Sequence, residues 1–342
     1  MSTDDLRSTV RAPVAELLEG RSLDYAVAAL SALMIAGVAA DFRAHAQGIS
    51  FAEEGFFTPE HTFFYSMFLG IAAVLLAATY RNRRAGADWV DAVPAGYGWG
   101  IVGVALFGLA GVGDLGWHTA FGFEESVEAL TSPTHLGLGA GAALFLGSPL
   151  RSALRRADDL RGIELAPAIV SASLVLTVLA LFSAYVNPLT NAGLMPTYER
   201  ASAAALGAMI VYPALLTGVA LTMVRRFKLP FGAIAAVLVP SAVASTLMSG
   251  RFELVLAALA AGLVGDAVAA ASRPSIENPR ALRTFCALVP ATFAATYFLV
   301  YELAEGVAWT VHVWTGAIVL AGASGLLLSY AVLPTATESM KP

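Results

Sequence analysis

A single cysteine, Cys286, stands in an apolar run, and that scarcity excludes both a disulfide framework and a thiolate metal cage. Charge is also scarce, at 13% of residues, and the net charge of −5 gives no basic surface for nucleic acid. The sequence has no phosphate-binding Gly-rich loop, no nucleotide fingerprint and no Ser or Cys nucleophile phrase. It has no Glu-x-x-His pair either, which argues against a di-iron carboxylate bundle. No apolar run ending in a small-residue cleavage site follows the polar opening "MSTDDLRSTVRAPVAELLEGRS", so no removable signal peptide is expected.

What remains is strongly apolar. Hydrophobic residues make up 58% of the 342-residue chain, and the mean hydropathy is +0.72. That composition predicts an all-α, polytopic membrane protein. About ten spans are predicted, near 23–41, 60–80, 92–116, 134–151, 164–186, 199–224, 230–249, 251–271, 284–303 and 307–333. Positive charge gathers after every second span: "RNRR" at 81–84, "RSALRRADDLR" at 151–161, "RRFK" at 225–228, and Arg273, Arg280 and Arg283. Arg7, Arg11 and Arg21 precede the first. The positive-inside rule then predicts a plasma-membrane protein with both termini cytoplasmic and five outward-pointing helical hairpins. Three segments are expected: a cytoplasmic 1–22, a duplicated pair of hairpins over 23–160, and further spans over 161–342.

The duplication lies in two phrases, "DFRAHAQGISFAEEGFFTPEH" at 41–61 and "GDLGWHTAFGFEESVEALTSPTH" at 113–135. Both read Asp-x3-His, then Glu-x3-(Thr/Ser)-Pro-x-His. The first supplies Asp41, His45, Glu54, Thr58, Pro59 and His61, and the second Asp114, His118, Glu128, Ser132, Pro133 and His135. Fainter echoes are "NAGLMPTY", with Pro196 and Tyr198, and the seven-residue step from Glu305 to His312. Asp-x3-His puts two ligand-type side chains on one helix face, about 5–6 Å apart at Cβ. Ser/Thr-Pro-x-His describes a helix start: Thr58 or Ser132 as N-cap, the proline first in the helix, the histidine in the first turn. Each hairpin tip can thus offer one carboxylate and two imidazoles to a common point. All five histidines fall on the same predicted side, four of them inside the two copies. His312, between Trp309 and Trp314, is a candidate to complete the site. Imidazole with carboxylate suits copper(II), zinc or iron(II). Glu54 and Glu128 are candidate ligands, orienting partners or proton carriers, whereas Glu53, Glu60, Glu124 and Glu125 read as solvated acids.

The second phrase resembles the metal-binding segment of the C subunit of particulate methane and ammonia monooxygenases. The family shows an Asn or Asp, a His four later followed by Thr, then aromatics, paired Glu and a closing Pro-x-His. The resemblance implies an integral membrane, copper-dependent oxygenase. It matches Asp114, His118 and His135 to one family metal site, and Asp41, His45 and His61 to the other. It covers the first four spans. The chain departs from the family in having Asp114 where Asn is common, longer His–His intervals, and roughly three more spans. Methane and ammonia oxidation in the family need partner subunits, so neither substrate is carried over.

Three functions compete at this point. A membrane metalloenzyme would hold an open coordination position and oxidise a small or apolar substrate, with Glu54 or Glu128 moving protons. A divalent-metal transporter or sensor would need polar residues continuing inward at mid-depth, and the spans offer few. A b-type haem protein would leave the Asp at each i−4 position unexplained. Lipid is the expected surround, and partner membrane subunits or a second copy are expected partners. Asp266 is expected to snorkel toward the cytoplasmic face. Arg251 and Glu253, at a predicted outer helix start, are expected to have a capping or surface role. Tyr185, Tyr198, Tyr297, Tyr301, Trp117, Trp309 and Trp314 are expected to form an interfacial aromatic belt. The stretch "GLGAGAALFLG" at 137–147 is expected to mark close helix packing.

Overall fold

Backbone amides crossing hydrocarbon have no water to bond, so a chain this apolar must satisfy them internally, and a helix does so within one segment. The computed structural model describes residues 20–46, 58–122, 128–156, 160–198 and 201–332, excepting the side chains of residues 45, 46, 128, 129 and 192. It is all-helical, 82% helix, with no strand among the described residues.

The α-helices of these residues run α1 Gly20–Ala46, α2 Pro59–Arg84, α3 Gly98–Phe121, the one-turn α4 Glu128–Thr131, α5 Pro133–Leu146, α6 Ser148–Arg155 and α7 Ala166–Phe182. They continue with α8 Ala203–Arg226, α9 Ala233–Ser249, α10 Val255–Ser272, α11 Pro279–Ala304 and α12 Val311–Val332. Eight helical stretches among the described residues are long and apolar enough to cross a membrane. Two of the ten predicted spans fold as shorter helices. At 1.5 Å per residue, the 14 residues of α5 reach about 21 Å and the 17 of α9 about 26 Å, against a hydrocarbon core of about 30 Å. The predicted span 134–151 is cut where Gly147 closes α5 and Pro149, which has no N–H to offer, opens α6.

The chain divides into two compact units, and the division falls inside α7. In the first, α1 packs along α2 and α3 along α5. The buried stripe of α3 is Gly100, Gly103, Phe107, Gly111 and Asp114, a helical spacing that turns one face to α5. A Cβ at Gly103 would lie 2.6 Å from the Gly141 carbonyl oxygen, and one at Gly141 would lie 2.7 Å from the Phe107 nitrogen. The two backbones therefore touch, as the glycine run predicts. Phe68, Phe107 and Phe145 fill the core beside this contact, with ring centroids 4.6 to 5.9 Å apart.

In the second unit α9, α10, α11 and α12 pack in sequence, and α8 closes against α12. Pro290 inside α11 releases the carbonyl of Cys286, and α12 passes directly over it at Gly325, where any Cβ would strike that oxygen. Asp266 does not snorkel. It is buried, and its carboxylate accepts the N–H groups of Ile234 at 2.9 Å and Ala235 at 3.2 Å. Helix α9 begins at Gly232, which has no side chain to cap those amides, so α10 supplies the missing acceptor. The aromatic belt also needs correction. Tyr185 and Tyr198 are exposed, but Tyr297, Tyr301 and Trp309 are buried, with Tyr297 packed on Tyr301 at 5.0 Å and Trp309 on Phe298 at 5.6 Å. Arg251 stands at the N-cap position of the 3-10 turn Phe252–Leu254, without a side-chain cap bond. It pairs with Glu253 and Glu305 at 2.6 Å each and lies over the Tyr301 ring.

Candidate metal centre

The stripe that joins α3 to α5 ends in Asp114, and one turn later comes His118. Their spacing of four brings His118 Nε2 to 3.3 Å from Asp114 Oδ2. Gly122 closes α3 with φ +82°, a backbone conformation suited to glycine, and its carbonyl lies 3.3 Å from His118 Nδ1. A proton on Nδ1 donated to that carbonyl leaves the Nε2 lone pair directed at Asp114.

The partner imidazole enters from α5. Ser132 is its N-cap, accepting the His135 N–H at 3.4 Å, and Pro133 occupies the first turn, as the sequence predicts. The Ser132 hydroxyl also lies 2.7 Å from His135 Nδ1 and so fixes the ring. His135 Nδ1 is then 3.7 Å from Asp114 Oδ1, and the two imidazole centroids are 5.6 Å apart. Thr134 donates to Asp114 Oδ1 at 2.8 Å. Asp114 is only 3% exposed, His118 10% and His135 26%. A buried carboxylate is costly without partners; here Thr134 donates to it, and an imidazole nitrogen of each histidine lies within 4 Å.

Among the described residues, Asp114, His118 and His135 are the one group of three whose ligand atoms lie within 4.8 Å of one another. For a tetrahedral ion bound at about 2.0–2.1 Å, neighbouring donors are roughly 3.3–3.4 Å apart. The 3.3 and 3.7 Å separations run to the two different oxygens of Asp114, and the three ligand atoms together lie within 4.8 Å of one another, so the set must contract to close on an ion. The donor types, two imidazoles and a carboxylate, are those a mid-row divalent ion takes.

The first copy repeats part of this arrangement. Thr58 caps α2, accepting the His61 N–H at 3.2 Å, and its hydroxyl lies 3.1 Å from His61 Nδ1. The same nitrogen is 2.9 Å from Asp41 Oδ1, and both partners are largely covered. His45 belongs to the last turn of α1, but its side chain lies outside the described residues, as does that of Glu128 in α4. Glu53, Glu54, Glu124 and Glu125 also lie outside them. His312 stands exposed in the first turn of α12, in the second unit, and is not one of the three grouped residues.

Two contributors were not singled out from sequence. Thr134 sits inside the Pro-x-His phrase, yet only the fold shows that it faces Asp114. Tyr65, one turn past His61 on α2, lies between the copies: its ring is 6.2 Å from that of His61, and its hydroxyl packs where a Cβ on Gly111 would come within 3.2 Å. Its phenol feels the charge of both Asp114 and Asp41. No protein-family model, characterised protein or solved structure matches the chain.

Proposed function

We propose that the chain is an integral membrane metalloprotein in which Asp114, His118 and His135 hold one divalent ion and Asp41, His45 and His61 a second. The observation that carries this reading is the convergence of three ligand atoms on one point with the carboxylate buried. Copper is the first choice, with zinc and iron next, and the resemblance to copper membrane monooxygenases suggests oxidation of a small or apolar substrate. When bound, copper would supply one-electron redox chemistry at these residues. The chain's own residues set the stage for that ion. Gly122 and Ser132 fix the two imidazoles, and Thr134 orients the carboxylate. Glu54 and Glu128, each seven residues before a ligand histidine, are the acids assigned to proton movement.

Elemental mass spectrometry on the detergent-purified chain tests the reading. Copper at about one to two atoms per chain is expected, with about one lost in His118→Ala/His135→Ala. Equal metal content in the wild type and the double variant sinks the second-copy site, and a Soret band in its place identifies a haem protein.

The same reading includes ten membrane passes in five outward-pointing hairpins, with α5 and α9 completing the eight longer helices and both termini cytoplasmic in the plasma membrane. The first two hairpins are read as a duplicated unit, and partner membrane subunits or a second copy as its company. Cysteines placed singly at residues 86, 122, 200 and 306 of a Cys286→Ala background test this topology. An impermeant maleimide added to intact cells should label 122, 200 and 306 and spare 86. Labelling at 86 would reject it.

A further inference from the structure

The second unit is strongly apolar, yet four buried polar side chains meet near the middle of two of its helices. Tyr212 stands nine residues after the start of α8. Ser241 lies eight residues from either end of α9, with Ser245 one turn further on. Asn187 comes from the connection between α7 and α8, which is not α-helical although residues 187–189 are buried. Asn187 and Ser241 are fully covered, Tyr212 is 1% exposed and Ser245 6%. Irregular backbone inside a membrane unit needs its polar groups met by protein, and the Asn187 amide does much of this. Its Oδ1 accepts the Leu189 N–H at 3.0 Å, and its Nδ2 donates to Ser245 Oγ at 3.0 Å and to the Ala180 carbonyl at 3.4 Å. Ser249 closes the segment against α9 by donating to the Leu189 carbonyl at 2.7 Å.

Three hydroxyls remain. Ser245 accepts from Asn187, which leaves its own O–H to donate elsewhere. The Tyr212 hydroxyl faces Ser241, Ser245 and Asn187. The oxygens of Tyr212 and Ser241 are nevertheless both buried, with no partner at direct hydrogen-bonding distance. An unpaired hydroxyl in an apolar interior is costly, and two on neighbouring helices that face each other are satisfied together by one bridging group. No charged side chain belongs to the cluster, so an ion would lack a counter-charge there. The Phe293 ring, 5.4 Å from that of Tyr212, adds an apolar wall. Pro213 follows Tyr212 and Pro240 precedes Ser241, so both helices lose a backbone bond beside the cluster.

We propose that Tyr212, Ser241 and Ser245 bind one small uncharged O–H compound, a water molecule or an alcohol of methanol size, in the interior of the second unit. Each of the three hydroxyls can donate or accept, and so can the ligand's, so a single oxygen bridges all of them. The Asn187 amide fixes Ser245 before the ligand arrives. The site gives the second unit a polar step at mid-depth, and it stands independently of the metal ligands in the first.

The test uses the full chain in lipid bilayers, isotope-labelled at tyrosine Cζ and observed by solid-state NMR, with the Tyr212 signal assigned by its loss in Tyr212→Phe. Magnetisation is passed from water protons to the tyrosines, with and without added methanol. Tyr97 is the internal comparison, because it is as well buried as Tyr212 but donates directly to Asp24 at 2.7 Å. With water as the ligand, Tyr212 should receive water magnetisation well ahead of Tyr97. With an alcohol as the ligand, Tyr212 should instead gain a saturable cross-peak to the methanol methyl protons. Ser241→Ala/Ser245→Ala should lower whichever transfer is seen at least about threefold, since it removes two of the three partners. Ser272→Ala, a hydroxyl lost at the end of α10, should leave it unchanged. Should the double variant not fold, Ser241→Ala alone carries the same expectation. A Tyr212 signal that lags with Tyr97 in water and gains no methanol cross-peak overturns the proposal, as does equal transfer in the wild type and the serine variants.

Discussion

Asp114→Ala is expected to lower copper affinity by at least about a hundredfold, more than loss of either histidine alone. The reason is its position as the common neighbour. His118 and His135 each lie within 4 Å of its carboxylate, on separate oxygens, and no other charged ligand belongs to the group. Removing it takes away the one negative charge offered to a divalent ion and leaves two imidazoles with nothing between them. Asp114→Asn should be milder, because an amide oxygen still accepts from Thr134 and still ligates, though without charge. About a tenfold loss is expected there. Competition against a chelator of known copper affinity measures both. A thermal measurement separates a ligand from a mere ion-pair partner. A site filled at a hundred times its dissociation constant stabilises the fold by about 2.7 kcal/mol, and that metal-dependent gain should vanish in Asp114→Ala. If the alanine variant is destabilised equally with and without copper, Asp114 is a structural partner of the two histidines and the metal reading fails.

How much of this was readable in the sequence follows the range of the interactions. The caps at Thr58 and Ser132 were readable because Ser/Thr-Pro-x-His fixes them within four residues. So was the Asp114–His118 face, a matter of one helical turn. Close contact between α3 and α5 was readable from the glycines of 137–147, since little else permits backbones to touch. What escaped was set by distant segments. Asp266 looks like a charge near a helix end, and only the packing of α10 on α9 gives it two amides to cap. Tyr297, Tyr301 and Trp309 have belt composition, but α11 turns the two tyrosines inward and Trp309, in the connection after it, is buried against Phe298. Thr134 and Tyr65 have no signature of their own, because each acts through a residue on another helix. The Asp24–Tyr97–Arg156 cluster joins residues 73 and 132 positions apart, which no local pattern encodes.

Gly141→Val should be the most damaging single change in the first unit, and its effect should reach the ligand cluster. The Cβ it introduces would fall 2.7 Å from the Phe107 nitrogen and 2.8 Å from the Gly103 carbonyl oxygen. Both are backbone atoms of α3, so no rotamer change relieves the clash and the helices must separate. A loss on the order of 3 kcal/mol is expected, at the upper end for overpacking, with a lower melting temperature in detergent as its measure. The same separation would move α5 from α3 where His135 faces Asp114, two turns toward the start of α5. Ligand atoms that already spread over as much as 4.8 Å tolerate little widening before one is lost. Copper content at low temperature, where the variant is still folded, should therefore fall with stability. Gly137→Ala is the graded comparison: its Cβ would meet only the Ala110 side chain, at 2.9 Å, and a smaller loss of both properties is expected. If Gly141→Val melts far below the wild type yet binds copper with unchanged affinity when folded, the helix contact and the ligand cluster are independent. The glycine seam would then hold the unit together without setting the geometry of the site.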